Sequence, residues 1–269
     1  ITMTTELTKS QELIARRMNA VPNGVGMFNH ATAAHASGAM ITDVDGRELI
    51  DFAGGIGVVN AGHCPPPVVK AIQEQAAKFL HVSFNVASYE PYIALCEKLN
   101  ALLPHGSATK TLLVSTGAEA VENAIKIARQ ATKRQGVLCF TDAFHGRTMM
   151  AMTLTSKVGY KPDCGPFAPE VYRTQYPNFY RYGAGRSEAD FVKAELYRLE
   201  ELTHNTVAPE NLAAIIIEVV QGEGGFNVAP SAYLIGLRAF CDKHGILLIF
   251  DEIQSGFGRT GAWSAYEHF

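Results

Sequence analysis

Four short stretches of this sequence hold residue types that could do chemistry at a bound ring or anion. In the first, Gly245-Ile246-Leu247-Leu248-Ile249-Phe250-Asp251-Glu252-Ile253-Gln254, an unbroken apolar run leads directly into two carboxylates. A run of that kind predicts a strand buried on both faces, as in a parallel sheet. In open α/β sheets, ligands bind beyond the carboxyl ends of the strands. Asp251 stands at such an end, where an unpaired carboxylate is costly, so it calls for a cationic partner. A protonated ring nitrogen would serve. At contact distance and an effective dielectric near 20 the attraction is roughly 4 kcal/mol, enough to move the pKa of a heteroaromatic nitrogen by several units. An acid that only caps the following turn is the plainer alternative.

The second stretch is Val114-Ser115-Thr116-Gly117-Ala118-Glu119-Ala120, where a strand gives way to a long helix. A helix start offers unpaired N–H groups and the positive end of its dipole, and Gly117 and Ala118 allow an anion such as phosphate to come close. A strand-to-helix turn capped by Ser115 or Thr116 and nothing more is the alternative. The third, Phe144-His145-Gly146-Arg147-Thr148, follows another predicted strand. Phe144 could stack on a planar ring, and the planar fork of Arg147 suits a carboxylate. It could equally be a turn with a surface Arg and a half-buried His. The fourth, Ile217-Glu218-Val219-Val220-Gln221-Gly222-Glu223-Gly224-Gly225, sets Glu218 at the end of an apolar strand and Glu223 in the glycine-rich loop beyond. A buried carboxylate there must be paired or protonated, and a structural ion pair would satisfy it as well. A ring held as a pyridinium by an acid such as Asp251 is the electron sink of pyridoxal phosphate chemistry.

Other site types are excluded. Gly256-Phe257-Gly258-Arg259-Thr260-Gly261 matches G-x-G-x-x-G. However, Asp251 to Ser255 separate it from its strand, and no acid follows at the dinucleotide-binding distance. There is no Walker A lysine, no H-E-x-x-H and no zinc-type cysteine spacing, so no metal is expected. The 269 residues carry a net charge of −3 with no long run of one sign, which argues against nucleic acid and against an acidic membrane surface. The apolar runs are too short to cross a bilayer. The five cysteines, Cys64, Cys96, Cys139, Cys164 and Cys241, form no C-x-x-C pair and suit reduced thiols in a cytoplasmic protein.

Positioning these residues falls to alternating helices and strands. Residues 10–20 predict a short helix, and residues 40–50 a hairpin with its turn at Asp45-Gly46. A composition change near residue 60, after the glycine-rich 54–57, divides an N-terminal segment (1–60) from a larger domain (61–269). In the latter, helices are expected at 65–80, 88–103 (Ser88 as N-cap), 118–134, 189–203 and 231–244, the last stopped by Gly245. Strands are expected at 110–114, 137–140, 213–220 and 246–250. The alternation implies an α/β fold with a mainly parallel, doubly wound sheet.

Together the four stretches are far more specific than any one. With Asp51-Phe52-Ala53-Gly54-Gly55-Ile56-Gly57, Tyr89-Glu90-Pro91-Tyr92, Lys110-Thr111-Leu112-Leu113-Val114 and Glu119-Ala120-Val121-Glu122-Asn123-Ala124, they make the whole chain resemble the class III (ω-amino acid) aminotransferases, above all the bacterial 4-aminobutyrate branch. The resemblance implies the type I, aspartate-aminotransferase-like fold of pyridoxal-phosphate transferases, with residues 1–60 in a smaller domain. It implies a homodimer with pyridoxal 5'-phosphate as cofactor. The implied reaction moves the amino group of 4-aminobutyrate to 2-oxoglutarate in 4-aminobutyrate breakdown, giving succinate semialdehyde and glutamate. 5-Aminovalerate, ornithine or acetylornithine are the alternative donors.

The resemblance also implies roles. Gly117 and Ala118 bind the cofactor phosphate. Phe144 covers the ring with His145 beside it, and Ile253 packs on the opposite face. Asp251 pairs with the ring nitrogen, Gln254 with the phenolic oxygen, and Glu218 lies close by. Arg147 takes the substrate carboxylate, Ile56 lines the substrate site, and Glu223 pairs with a second arginine that is freed when glutamate enters. Two departures stand out. Val219 replaces the family's usual proline, and no lysine follows Lys243, so the family's Schiff-base lysine is not in this chain. The expectation is therefore an N-terminal part of a longer enzyme. By itself it would be a non-catalytic fragment that binds cofactor weakly and does not transaminate.

Overall fold

Alternate residues of one strand separate two helical layers. Val137 and Cys139 pack with one set of helices, Leu138 and Phe140 with the other, and all four are shut off from solvent. The computed structural model describes residues 7–103, 105 and 108–269. The chain divides into two units, Ile1–Tyr89 and Glu90–Phe269, so the composition change near residue 60 lies inside the first.

In the first unit, helix α1 (Lys9–Ala20) starts from a capping box between Thr8 and Gln11. Strands β1 (His35–Ser37), β2 (Met40–Thr42) and β3 (Glu48–Ile50) form an antiparallel sheet in that order. The turn between β2 and β3 is tied by Asp43, whose Oδ1 accepts the N–H groups of Asp45 and Arg47 at 2.9 and 2.8 Å. Gly46 there has φ +88°, a conformation that favours glycine. A single turn, α2 (Gly54–Gly57), and helix α3 (Pro66–Ala76) follow.

The second unit opens with α4 (Glu90–Leu102), which starts two residues after the expected Ser88 cap. Residues 110–114, expected as a strand, are not one. Leu112 is 57% exposed, and a strand needs a neighbour to pair with that its own sequence does not supply. Helix α5 (Gly117–Thr132) buries Val121, Ile125 and Ala128, a stripe at helical spacing. Then come β4 (Gly136–Phe140), α6 (Met149–Leu154), β5 (Val171–Thr174), the turn α7 (Phe179–Tyr182), α8 (Glu188–Asn205), β6 (Leu212–Ile217), α9 (Ser231–His244) and β7 (Leu247–Phe250). Gly245 ends α9 in the left-handed conformation, as the sequence predicts.

The four strands are parallel and ordered β5-β4-β6-β7. Ile216 packs with α5 and α6, whereas Ile215 and Ile217 join the core formed with α8 and α9. The sheet is thus covered on both faces. β4 and β6 are buried throughout, but β7 is only half-buried and Leu247 is 40% exposed. The apolar run that predicts a strand buried on both faces forms an outer strand, paired on one side among the described residues. Because Ile217 aligns with Phe250, the residues after them, Glu218 and Asp251, leave the sheet side by side.

Candidate active site

The carboxylate of Asp251 is buried. Its Oδ2 lies 2.7 Å from Nδ1 of His145, and its Oδ1 accepts the N–H of Ile253 at 3.1 Å. A carboxylate oxygen accepts, so Nδ1 carries the proton of that bond. Within the chain the side-chain partner of Asp251 is thus an imidazole, and among the described residues no Arg or Lys is bonded to it. The His145 ring is fully buried, and its Nε2 has no partner among the described residues. The backbone N–H of His145 donates to Thr155 Oγ1 at 2.9 Å, which fixes the residue from behind.

Glu218, at the end of β6, is buried, and among the described residues no cation is bonded to it. Its Oε1 accepts the N–H of Phe144 at 2.9 Å and its Oε2 that of Gly222 at 3.1 Å. Burial pushes its carboxyl up to about 7, against the downward pull of His145 and of the two N–H groups, while Asp251 adds to the rise. A carboxyl in that range can hold or release a proton at neutral pH.

The start of α5 completes the cluster. Thr116, not Ser115, is the N-cap: its side chain accepts the Glu119 N–H, and Glu119 reaches back to the N–H groups of Ser115 and Thr116. Gly117 and Ala118, in the first turn, have no intrahelical acceptor for their own N–H groups. A Cβ on Gly117 would fall 2.9 Å from Cδ1 of Ile253, and one on Gly146 would fall 2.7 Å from Cβ of Ala118. Gln254 lies directly against Gly222, where no side chain could fit. Gly117, Ala118, Phe144, His145, Glu218, Asp251, Ile253 and Gln254 thus form one chain of contacts. A cavity of about 120 Å³ beside them is lined by Ala120, Val121, Ala124, Ile249, Asp251 and Ile253. A larger one, about 380 Å³, is lined by Leu248, Phe250 and Tyr266 among others and holds none of these eight residues.

The expected substrate residues lie outside this chain of contacts. Arg147 is exposed and has no hydrogen-bond or ion-pair partner among the described residues. Glu223 pairs within this chain with Lys157, its Oε2 2.5 Å from Nζ. That partner comes from the segment after α6, which sequence reading passed over. Ile56 belongs to the first unit, with φ +60° and a 64% exposed side chain. The glycines of residues 256–261 lie in turns, with Phe257 N–H on Trp263 O at 2.7 Å, and they do not join a strand directly to a helix as a dinucleotide fingerprint requires; a 3-10 turn, Ala265–His268, begins only four residues after Gly261.

The family model for aminotransferase class-III matches residues 20–269. The chain belongs to the class III aminotransferases. Among characterised relatives, it is 49% identical over 259 residues to a 5-aminovalerate aminotransferase of Pseudomonas putida, a match covering 96% of this chain and 59% of the relative. It is also 49% identical over 262 residues to a 4-aminobutyrate aminotransferase of Escherichia coli, covering 97% and 60%. Among solved structures, it aligns with TM-score 0.90 and 30% identity to a taurine:2-oxoglutarate aminotransferase from Bifidobacterium kashiwanohense in complex with PLP and glutamate, covering 98% of this chain and 60% of that one. An (S)-enantioselective ω-transaminase from Thermomicrobium roseum gives 0.89 and 32%, covering 98% and 61%. The chain therefore spans about 60% of the length of these class III relatives.

Sequence reading missed two supports of this cluster. The buried Tyr176 sets its hydroxyl 3.0 Å from Glu218 O and 3.2 Å from Val219 O, at the point where the family usually has proline. Tyr160 meets the Phe144 ring edge-on at 5.6 Å. Neither neighbours its partner in sequence, so spacing gives no sign of them.

Proposed function

We propose that this chain forms the cofactor-facing part of an ω-amino acid aminotransferase, with pyridoxal phosphate as the group that the cluster around Asp251 holds. The observation that carries the reading is the buried Asp251 carboxylate at the mouth of a parallel sheet, steadied by His145 and Ile253 and, among the described residues, bonded to no Arg or Lys. The residues present fit the group. The N–H groups of Gly117 and Ala118 suit a phosphate, Asp251 a protonated ring nitrogen, Phe144 and Ile253 the two ring faces, and Gln254 a phenolic oxygen. Pyridoxal phosphate supplies an electron sink when bound. Asp251 keeps the ring nitrogen protonated, His145 keeps the Asp251 carboxylate in place, and Glu218 exchanges a proton near neutral pH.

For the substrate we propose 4-aminobutyrate as amino donor and 2-oxoglutarate as acceptor, with homodimeric assembly. Arg147, exposed and unpaired among the described residues, offers its fork to the donor's carboxylate. 5-Aminovalerate is a second reading, favoured by a relative of the same identity. The test is a titration of the purified chain with pyridoxal phosphate and, separately, with pyridoxal, followed by absorbance. Saturable binding that is at least tenfold weaker without the phosphate supports the reading, and equal affinity for the two overturns it. With the cofactor present, protection of Arg147 from phenylglyoxal by 4-aminobutyrate but not by 5-aminovalerate separates the donors.

A further inference from the structure

Two loops carry the cluster, and one buried amide joins them. The first runs on from β4 through Thr141 to Phe144, His145 and Arg147. The second runs on from β6 through Glu218 and Gln221 to Glu223. Gln221 is 1% exposed. Its Nε2 donates to the carbonyl of Thr141 at 2.8 Å, across to the first loop. Its Oε1 accepts from Asn227 Nδ2 at 3.1 Å, and Asn227 Nδ2 also donates to Gly224 O at 3.0 Å, closing the second loop on itself. The backbone N–H of Gln221 donates to Asn227 O at 2.8 Å. The loops touch here: a Cβ on Gly224 would fall 2.6 Å from Asp142 O and 2.8 Å from Gln221 Oε1.

Their spacing matters because one carboxylate bridges them. Glu218 takes a donor from each loop, Phe144 N–H from the first and Gly222 N–H from the second. Gly222 directly follows Gln221, so whatever holds Gln221 also holds that donor. Backbone hydrogen bonds set each loop's own shape, and the Gln221 side chain spans the gap between them.

We propose that Gln221 is a positioning residue that holds the two loops at the spacing at which Glu218 can take one N–H from each. It rests on the cofactor reading only in treating the two loops as parts of one site. The test needs neither cofactor nor turnover, so its failure is distinct from failure of that reading. Amide hydrogen exchange is measured on the whole chain and on Gln221→Met, which keeps the length and loses both polar atoms. The Phe144 and Gly222 amides are expected to exchange at least tenfold faster, with Ile215 and Ile216 in β6 unchanged. In the same variant the carbon-13 titration midpoint of the Glu218 carboxyl, about 7 in the parent, rises by about one unit as it loses a donor. Gln221→Leu, which also lacks both polar atoms and adds no charge, should show the same local pattern. Unchanged amides at Phe144 and Gly222, or acceleration shared equally with β6, would overturn the proposal. So would failure of both variants to fold, since Gln221 would then be a residue of the core.

Discussion

The ends of β6 and β7 lie side by side and each presents a buried acid, yet the two acids are held in opposite ways. Glu218 meets two backbone N–H groups and, among the described residues, no bonded cation, and burial drives it toward its neutral form. Asp251, one strand over, meets an imidazole N–H and one backbone N–H. The sheet places both acids at its mouth. What each can do is decided by residues far away in sequence, with His145 and Asp251 separated by 106 positions. In the proposed aminotransferase this makes one acid a fixed partner for a cationic ring and the other a proton carrier.

The contrast can be broken most severely at Asp251. Asp251→Leu leaves the His145 N–H buried without its acceptor and is expected to cost about 4 kcal/mol, read by urea denaturation. A cost no larger than that of an ordinary surface change would mean that the pair is incidental. Glu218 sharpens the contrast through pH. Its folded-state pKa is raised from 4.5 to about 7, so its contribution is fully present below 4.5 and is lost as pH rises through 7. Stability should fall by something on the order of 3 kcal/mol across that window, and Glu218→Gln should flatten the fall. A pH profile that Glu218→Gln leaves unaltered would contradict this. The smallest effect belongs to the third acid, Glu223, whose pairing with Lys157 is over 30% exposed on both sides. Lys157→Met should cost only about 0.5 kcal/mol and nothing measurable in high salt, in contrast to the buried pair.

Much of the scaffold was legible from local pattern. The span of α9 with its glycine stop, the apolar stripe of α5 and the continuous apolar runs of β4 and β6 all follow from residue type and spacing. The error at residues 110–114 and the overstated burial of β7 share a cause. A strand's pairing depends on what lies beside it, and an apolar run does not report that. The site was legible in its residues and not in its bonds. The stretches around Gly117, Phe144, Glu218 and Asp251 do converge. That His145 serves Asp251, that Phe144 N–H serves Glu218, or that Lys157 takes Glu223 arises from side chains brought together across 106, 74 and 66 positions. No periodicity encodes such contacts. Tyr176 and Gln221 escaped notice because a buried Tyr or Gln in a loop looks the same in sequence as an exposed one.

Asp251 as the partner of a ring nitrogen is the claim on which the functional reading turns. Nitrogen-15 NMR of ring-labelled pyridoxal phosphate bound to this chain and to Asp251→Asn tests it directly. The account predicts a protonated, pyridinium-type nitrogen at pH 8 with Asp251 present and an unprotonated one in the variant. The same nitrogen shift in both proteins would contradict it.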